Sequence, residues 1–148
     1  MKIEIDQSGK IEDTNRLTVI AFSNDHSKSL LITAKDKKSI QSIFRKINQP
    51  RIFISQVFAA AVYYIAKDEL KNINTIIIDN EYPGHEKYIK KLIIKFFEND
   101  NIKTDKVQIH FRSIGKKSKA HNVAYKAFKI KRASDKLTSK QILQIVLR

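Results

Sequence analysis

The chain has 148 residues, 42% apolar and 30% charged, which suits a single globular domain and excludes disordered and collagen-like classes. It has no Cys, so disulfide frameworks, Cys-ligated zinc and thiol catalysis are excluded. Against 15 Asp and Glu stand 29 Lys and Arg, a net charge of +14, and the surplus is concentrated: residues 103–148 hold 13 basic and 2 acidic side chains. A basic end of this kind attracts polyanions, of which nucleic acid is the commonest. A Lys-rich compositional bias is the alternative, but bias alone would not also deplete the acids there.

The opening segment 2–12 alternates, with Ile3, Ile5 and Ile11 on one side and Lys2, Glu4 and Asp6 on the other, which predicts a strand bent near Ser8-Gly9. Leu17 to Phe22 predicts a second strand and Ser29 to Thr33 a third, joined by the turn-rich run Ser23 to Ser27. Asp36 is the expected cap of a helix reaching Ile47, with Ile40, Ile43, Phe44 and Ile47 at helical spacing. Phe53 to Ala66 is apolar nearly all round and predicts a buried helix. The apolar stretch Ile52 to Ala66 is interrupted by Ser55 and Gln56 and falls short of the ~20 residues of a membrane span. With an opening that turns acidic at Glu4 and Asp6, unlike a secretory signal, it points to a cytoplasmic protein with no membrane partner.

Ile73 to Ile78 is a continuous β-branched run, the pattern of a central strand covered on both faces, and it ends in Asp79. After Pro83-Gly84, residues 85–98 predict an amphipathic helix with Ile89, Leu92, Ile93 and Phe96 inward and Lys87, Lys90, Lys91 and Lys95 outward. Lys106 to Phe111 alternates as a fifth strand. Ser118 caps a further helix with His121, Ala124, Tyr125 and Phe128 as its expected inward stripe. Residues 130–137 read as a basic linker, and Thr138 or Ser139 caps a short helix to Leu147. The expected organisation is an α/β domain over 1–129, with a mixed five-stranded sheet and helices on both faces, followed by a basic extension over 130–148.

The acidic residues fall where such a sheet can concentrate them. Asp6 lies in the first strand, Asp79 ends the fourth and Glu81 follows two residues on; if strands one and four are parallel neighbours, Asp6 and Asp79 are adjacent. Close carboxylates repel unless a cation lies between them, and an all-oxygen set suits Mg²⁺ or Mn²⁺. With such ions, in-line attack on a phosphodiester is feasible. Structural roles compete at each position. Asp6 can make a turn with Ser8-Gly9, Asp79 can bond the following loop, Glu81 and Glu86 suit a helix start, His85 suits a surface turn, and His121 suits a half-buried structural site.

Two segments, Ile5-Asp6-Gln7-Ser8-Gly9 and Ile76-Ile77-Ile78-Asp79, together with the predicted strand order over 1–129, resemble the ribonuclease H-like superfamily of nucleases and resolvases, and most of all a small prokaryotic group within it. The resemblance implies a ribonuclease H-like fold and an Asp on each of these strands. It also implies a third acidic group, or in resolvase-like members a His, at the start of the last helix, where Ser118-Lys119-Ala120-His121-Asn122 offers His121. The superfamily's second carboxylate usually comes from the helix after the third strand. Here that helix has Ser55 and Gln56 and no acid before Asp68, and residues 36–47 form an additional helix ahead of it, so Glu81 or Glu86 must substitute or the site is degenerate.

The resulting expectation is a metal-dependent nuclease or resolvase-like phosphodiesterase using Asp6, Asp79, Glu81 and His121. Its metal ligands come from Asp6, Asp79, Glu81 and Glu86, and Mg²⁺ or Mn²⁺ is the cofactor. Lys116, Lys117, Lys119, Lys126, Lys129, Lys131 and Arg132 are the expected nucleic-acid contacts, DNA or RNA, and analogy with resolvase-like members implies a homodimer. The alternative is a protein of the same fold that binds nucleic acid without turnover. Asp6-Gln7-Ser8-Gly9 also resembles the phosphate loop of actin-like ATPases, but these need two related domains and this chain has length for one.

Overall fold

The structure is a computed structural model and describes residues 1–148. Its strands are β1 (Lys2–Ser8), β2 (Thr18–Ser23), β3 (Ser27–Ile32), β4 (Thr75–Asp79), β5 (Gln108–Arg112) and β6 (Asp135–Lys136). Its helices are α1 (Ala34–Lys46), α2 (Phe53–Ala66), α3 (Glu86–Asn99), α4 (Lys119–Ile130) and α5 (Ser139–Val146), with short 3-10 segments at Pro50–Ile52 and Lys67–Asn72. All six strands join one mixed sheet in the order β5-β4-β1-β2-β3-β6. β1, β2 and β3 form an antiparallel meander, while β4 runs parallel to β1 and β5 parallel to β4. The order β3-β2-β1-β4-β5 resembles a ribonuclease H-like arrangement.

Period two along the strands divides the core unequally. Ile3, Ile5, Ile20, Phe22, Leu30, Ile32, Ile76 and Ile78 point into the main core, which α1, α2, α3 and α5 complete. The other face carries Val19 and Ala21, and α4 alone packs there, through Ala124 and Ala127. The small residues on both partners let helix and sheet approach closely. One helix cannot cover six strands, so polar side chains of this face, Asp6 among them, sit beside α4 rather than beneath it.

The local devices are readable in chemistry. β1 stops at Ser8 because Gly9 adopts φ +81°, and the turn that follows keeps Ile11 buried. A Cβ at Gly9 would lie 2.5 Å from the Leu17 carbonyl oxygen and 2.6 Å from the Phe128 ring, so this turn closes against α4 only with glycine. α1 begins at Ala34, earlier than expected, because Thr33 rather than Asp36 is the cap: its Oγ1 accepts from the Asp36 N–H and donates to the Asp36 carboxylate. From that helix Lys37 is fully buried, and its Nζ donates to the Lys10 and Asp13 carbonyls and to Thr18 Oγ1. Burial pushes its pKa down to about 8, against the opposing pull of Asp13 and Glu12.

Two further expectations are corrected. The inward stripe of α4 is Ala120, Ala124 and Ala127; Tyr125 is half exposed and Phe128 only partly buried, because the tight helix–sheet approach admits alanines and pushes larger rings to the flank. The segment 130–137 is not a free linker. Lys131 closes α4 in the left-handed conformation at φ +58°, and the chain then pairs with β3 as β6, a sixth strand. Ser134 and Ser29 fasten this edge, each hydroxyl accepting the other's backbone N–H at 2.9 Å. Leu137, Ile142 and Val146 then enter the main core, so residues 130–148 are packed into the same body as 1–129. The expected cap of α5 is present as a capping box between Thr138 and Gln141.

Gly9→Ala should destabilise the fold by about 2 kcal/mol or more, combining left-handed strain with a clash against backbone. Gly84→Ala meets only the strain, since nothing lies near its Cβ position at φ +89°, and should cost about 1 kcal/mol. Urea unfolding of the two variants measures the difference, and equal midpoints would remove the close-approach argument.

Candidate metal centre

The parallel pairing of β1 with β4 builds the site. Ile5 lies opposite Ile78, so the next residues along each strand, Asp6 and Asp79, follow in register on the α4 face. Two residues on, Glu81 folds back, its N–H donating to the Asp79 carbonyl at 2.9 Å. Ligand oxygens from Asp6, Asp79 and Glu81 all lie within 4.8 Å of one another. The expected cluster of Asp6, Asp79 and Glu81 is therefore assembled.

Each carboxylate is aimed by a neighbour. Asp6 is 5% exposed; its Oδ1 accepts the Gln7 N–H at 2.8 Å and its Oδ2 faces His121 Nδ1 at 2.9 Å. Asp79 Oδ1 accepts the Ile114 N–H at 2.8 Å, tying the end of β4 to the loop after β5. Glu81 is positioned through Tyr82, whose hydroxyl bonds the Gln7 side chain and accepts the Ile11 N–H, and whose ring packs edge-on against Phe58 at 5.3 Å. Neither Tyr82 nor Gln7 carries a sequence signal for this role. Lys10, on the other side of Gly9, is the cation that eases Glu81, and its place directly after the turn was the available hint.

The electrostatics report the crowding. Burial first, then sharing and repulsion with Asp79 and repulsion from Asp6, lift Glu81 to about 8 against the pull of Lys10. Burial and Asp79 also raise Asp6, opposed by the Gln7 N–H and by His121. Three crowded carboxylates, of which Asp6 and Glu81 are held harder to ionise, are a set that a hard divalent cation would relieve, and the donor chemistry fits Mg²⁺ or Mn²⁺.

Glu86 does not join the cluster. It opens α3, which packs on α2 on the opposite face of the sheet, and its Oε1 is buried with no hydrogen-bond partner. His121 does join, at the first turn of α4, where Ser118 caps the helix and keeps the imidazole one-third exposed beside Asp6. Lys116, Lys117, Lys119, Lys126, Lys129, Lys131 and Arg132 are all exposed, and none is within 4.0 Å of a carboxylate oxygen. Lys116, Lys117 and Lys119 precede or begin α4 next to His121, whereas Lys129, Lys131 and Arg132 lie at its far end. No helix is long and apolar enough to cross a membrane. No protein-family model matches the chain, and neither a curated protein nor a solved structure matches it.

A carboxyl group whose pKa is higher folded than unfolded contributes stability that is complete below the unfolded value and is lost as pH rises through the folded one. For Glu81 that window runs from 4.5 to about 8. The protein in EDTA should lose stability across this window, and Glu81→Gln should flatten the loss. Mg²⁺ or Mn²⁺ should restore stability at the alkaline end and bind more tightly as pH rises, because binding displaces the proton. Thermal unfolding against pH with and without the ion measures this, and a profile indifferent to Glu81→Gln would contradict it.

Proposed function

We propose that this protein is a divalent-metal-dependent phosphodiesterase acting on nucleic acid, a nuclease or resolvase-like enzyme of ribonuclease H-like type. The observation that carries the reading is the convergence of Asp6, Asp79 and Glu81 at the ends of parallel strands in a chain of net charge +14. Carboxylates alone would repel a phosphodiester; carboxylates that hold cations within a basic surface would bind one.

Asp6, Asp79 and Glu81 are the residues that would hold the metal. Bound there, a divalent ion supplies charge neutralisation at the phosphate and a water of lowered pKa. Asp6, fixed by the Gln7 N–H and His121, and Asp79, fixed by the Ile114 N–H, supply rigid donors that need no rearrangement. His121 touches Asp6 on one side and solvent on the other, a position from which its imidazole can pass a proton between the site and water. The lysines around the start of α4 attract the phosphate backbone by charge, without reading sequence.

A second reading is a protein of this fold that binds nucleic acid without cleaving it. It is favoured by α2, which brings Ser55 and Gln56, and no carboxylate, to the stretch where the superfamily usually supplies one. Cleavage screened over DNA and RNA with Mg²⁺ and with Mn²⁺ separates the two. Asp79→Asn should abolish cleavage while leaving the circular dichroism spectrum unchanged; turnover at the wild-type rate in that variant would end the catalytic assignment.

Lys116→Ala combined with Lys117→Ala should weaken binding to about the same degree on unrelated duplex sequences. It should also lower the log–log salt slope by up to ~2, one unit for each phosphate contact removed. A solubility face would predict no change in either quantity, and affinity insensitive to salt would contradict the basic surface as a phosphate site.

A further inference from the structure

The exposed face of α4 is not uniformly charged. His121, Tyr125 and Lys129 recur every four residues and so form one stripe along the helix. The His121 and Tyr125 rings are nearly parallel, 11° apart in plane and 6.3 Å between centroids, and Lys129 Nζ lies 5.6 Å from the Tyr125 ring centre. Tyr125 is 50% exposed although nothing in the helix–sheet packing requires an aromatic ring there.

The stripe begins at the acidic cluster, through His121 and Asp6, and ends in a groove of about 550 Å³ between the end of α4, the β1–β2 connection, the start of α1 and β6. Four cations line this groove, Arg16, Lys129, Lys131 and Lys136, and no carboxylate does. Leu17 and the partly buried Phe128 give it an apolar surface, and Gly9 sets the place of the Phe128 ring. A groove that combines apolar and aromatic walls with cations and lacks acids complements a flat apolar group carrying phosphate. Its volume is within the range of small-molecule sites. From His121 to Lys129 the helix rises ~12 Å, room for three to four nucleotides at a stacked rise of about 3.4 Å.

We infer that a single strand of nucleic acid lies along α4, with a base stacked on Tyr125 and a nucleotide further along the strand held in the Arg16–Phe128–Lys131–Lys136 groove. The inference rests on the nucleic-acid reading above and narrows its substrate to one with a single-stranded segment next to the reacting phosphate. Aromatic platforms interleaved with cations bind strands in this way, and a duplex keeps its bases stacked and unavailable to Tyr125.

The test is fluorescence anisotropy in EDTA with a labelled thymidine oligonucleotide of about 16 nucleotides, the upper end of common single-strand site sizes, and with a duplex of equal length. The strand should bind more tightly than the duplex. Tyr125→Ala should weaken strand binding by about tenfold or more, Tyr125→Phe should retain it, and Lys131→Ala with Lys136→Ala should lower its salt slope. Wild-type strand affinity in Tyr125→Ala would overturn the inference, as would preference for the duplex. Competition by thymidine monophosphate at equal nucleotide concentration, as effective as the oligonucleotide itself, would overturn it in favour of a free nucleotide in the groove. Because binding is read without metal, an absence of cleavage by the wild type would remove the phosphodiesterase reading alone and leave the strand track standing.

Discussion

The structure turns on one pairing, that of β1 with β4. Parallel in-register strands place equivalent residues side by side on the same face, so Ile5 beside Ile78 commits Asp6 and Asp79 to neighbouring positions. A pair of carboxylates so placed is costly by itself, and the neighbourhood is arranged around that cost. Backbone N–H groups from Gln7 and Ile114 bond one oxygen each, His121 faces another, and Lys10 moderates Glu81. These devices moderate the repulsion without abolishing it, since Asp6 and Glu81 both remain harder to ionise than a free carboxylate. A site kept in this condition is poised for a cation in a way that a fully satisfied salt bridge is not.

The unequal covering of the sheet explains why the site is reachable. Four helices build the main core on one face, where Ile76 and Ile78 of β4 and the nearly all-apolar α2 belong. The other face has α4 alone, docked through alanines against Val19 and Ala21. The small contact lets α4 lie close, brings His121 to Asp6, and leaves Tyr125 and the lysines facing outward. The basic charge of the C-terminal third is thereby laid along the same helix that borders the acidic cluster.

The turn between β1 and β2 ties these parts together. Gly9 permits the backbone of this turn to pass within contact of Phe128, and the Tyr82 hydroxyl holds Gln7 and Ile11 on the other side. Lys37 reaches from α1 into the same connection, bonding the Lys10 and Asp13 carbonyls. The additional helix that separates this chain from the pattern it resembles thus stiffens the loop leading out of the Asp6 strand and forms one wall of the groove at the end of α4.

Local and periodic features were legible in the sequence because they depend on near neighbours. The alternation of Ile3 and Ile5, the aliphatic run into Asp79, the bounds of α2 and the Ser118 cap all follow from side-chain period and backbone chemistry within a few residues. The adjacency of Asp6, Asp79 and Glu81 was expected only if strands one and four were parallel neighbours, and the β1–β4 pairing meets that condition. The tertiary structure decided the rest. Glu86 was excluded because α3 turns to the opposite face, and Tyr125 was turned outward because Ala124 and Ala127 are the α4 residues that meet Val19 and Ala21 of the sheet. A basic segment became β6 by pairing its backbone with the distant strand β3, an edge that Ser29 and Ser134 fasten and Leu137 anchors in the core. Each of these outcomes rests on contacts between residues remote in sequence, where the energy of the partner outweighs the propensity of the segment, and no local pattern records which partner will be present.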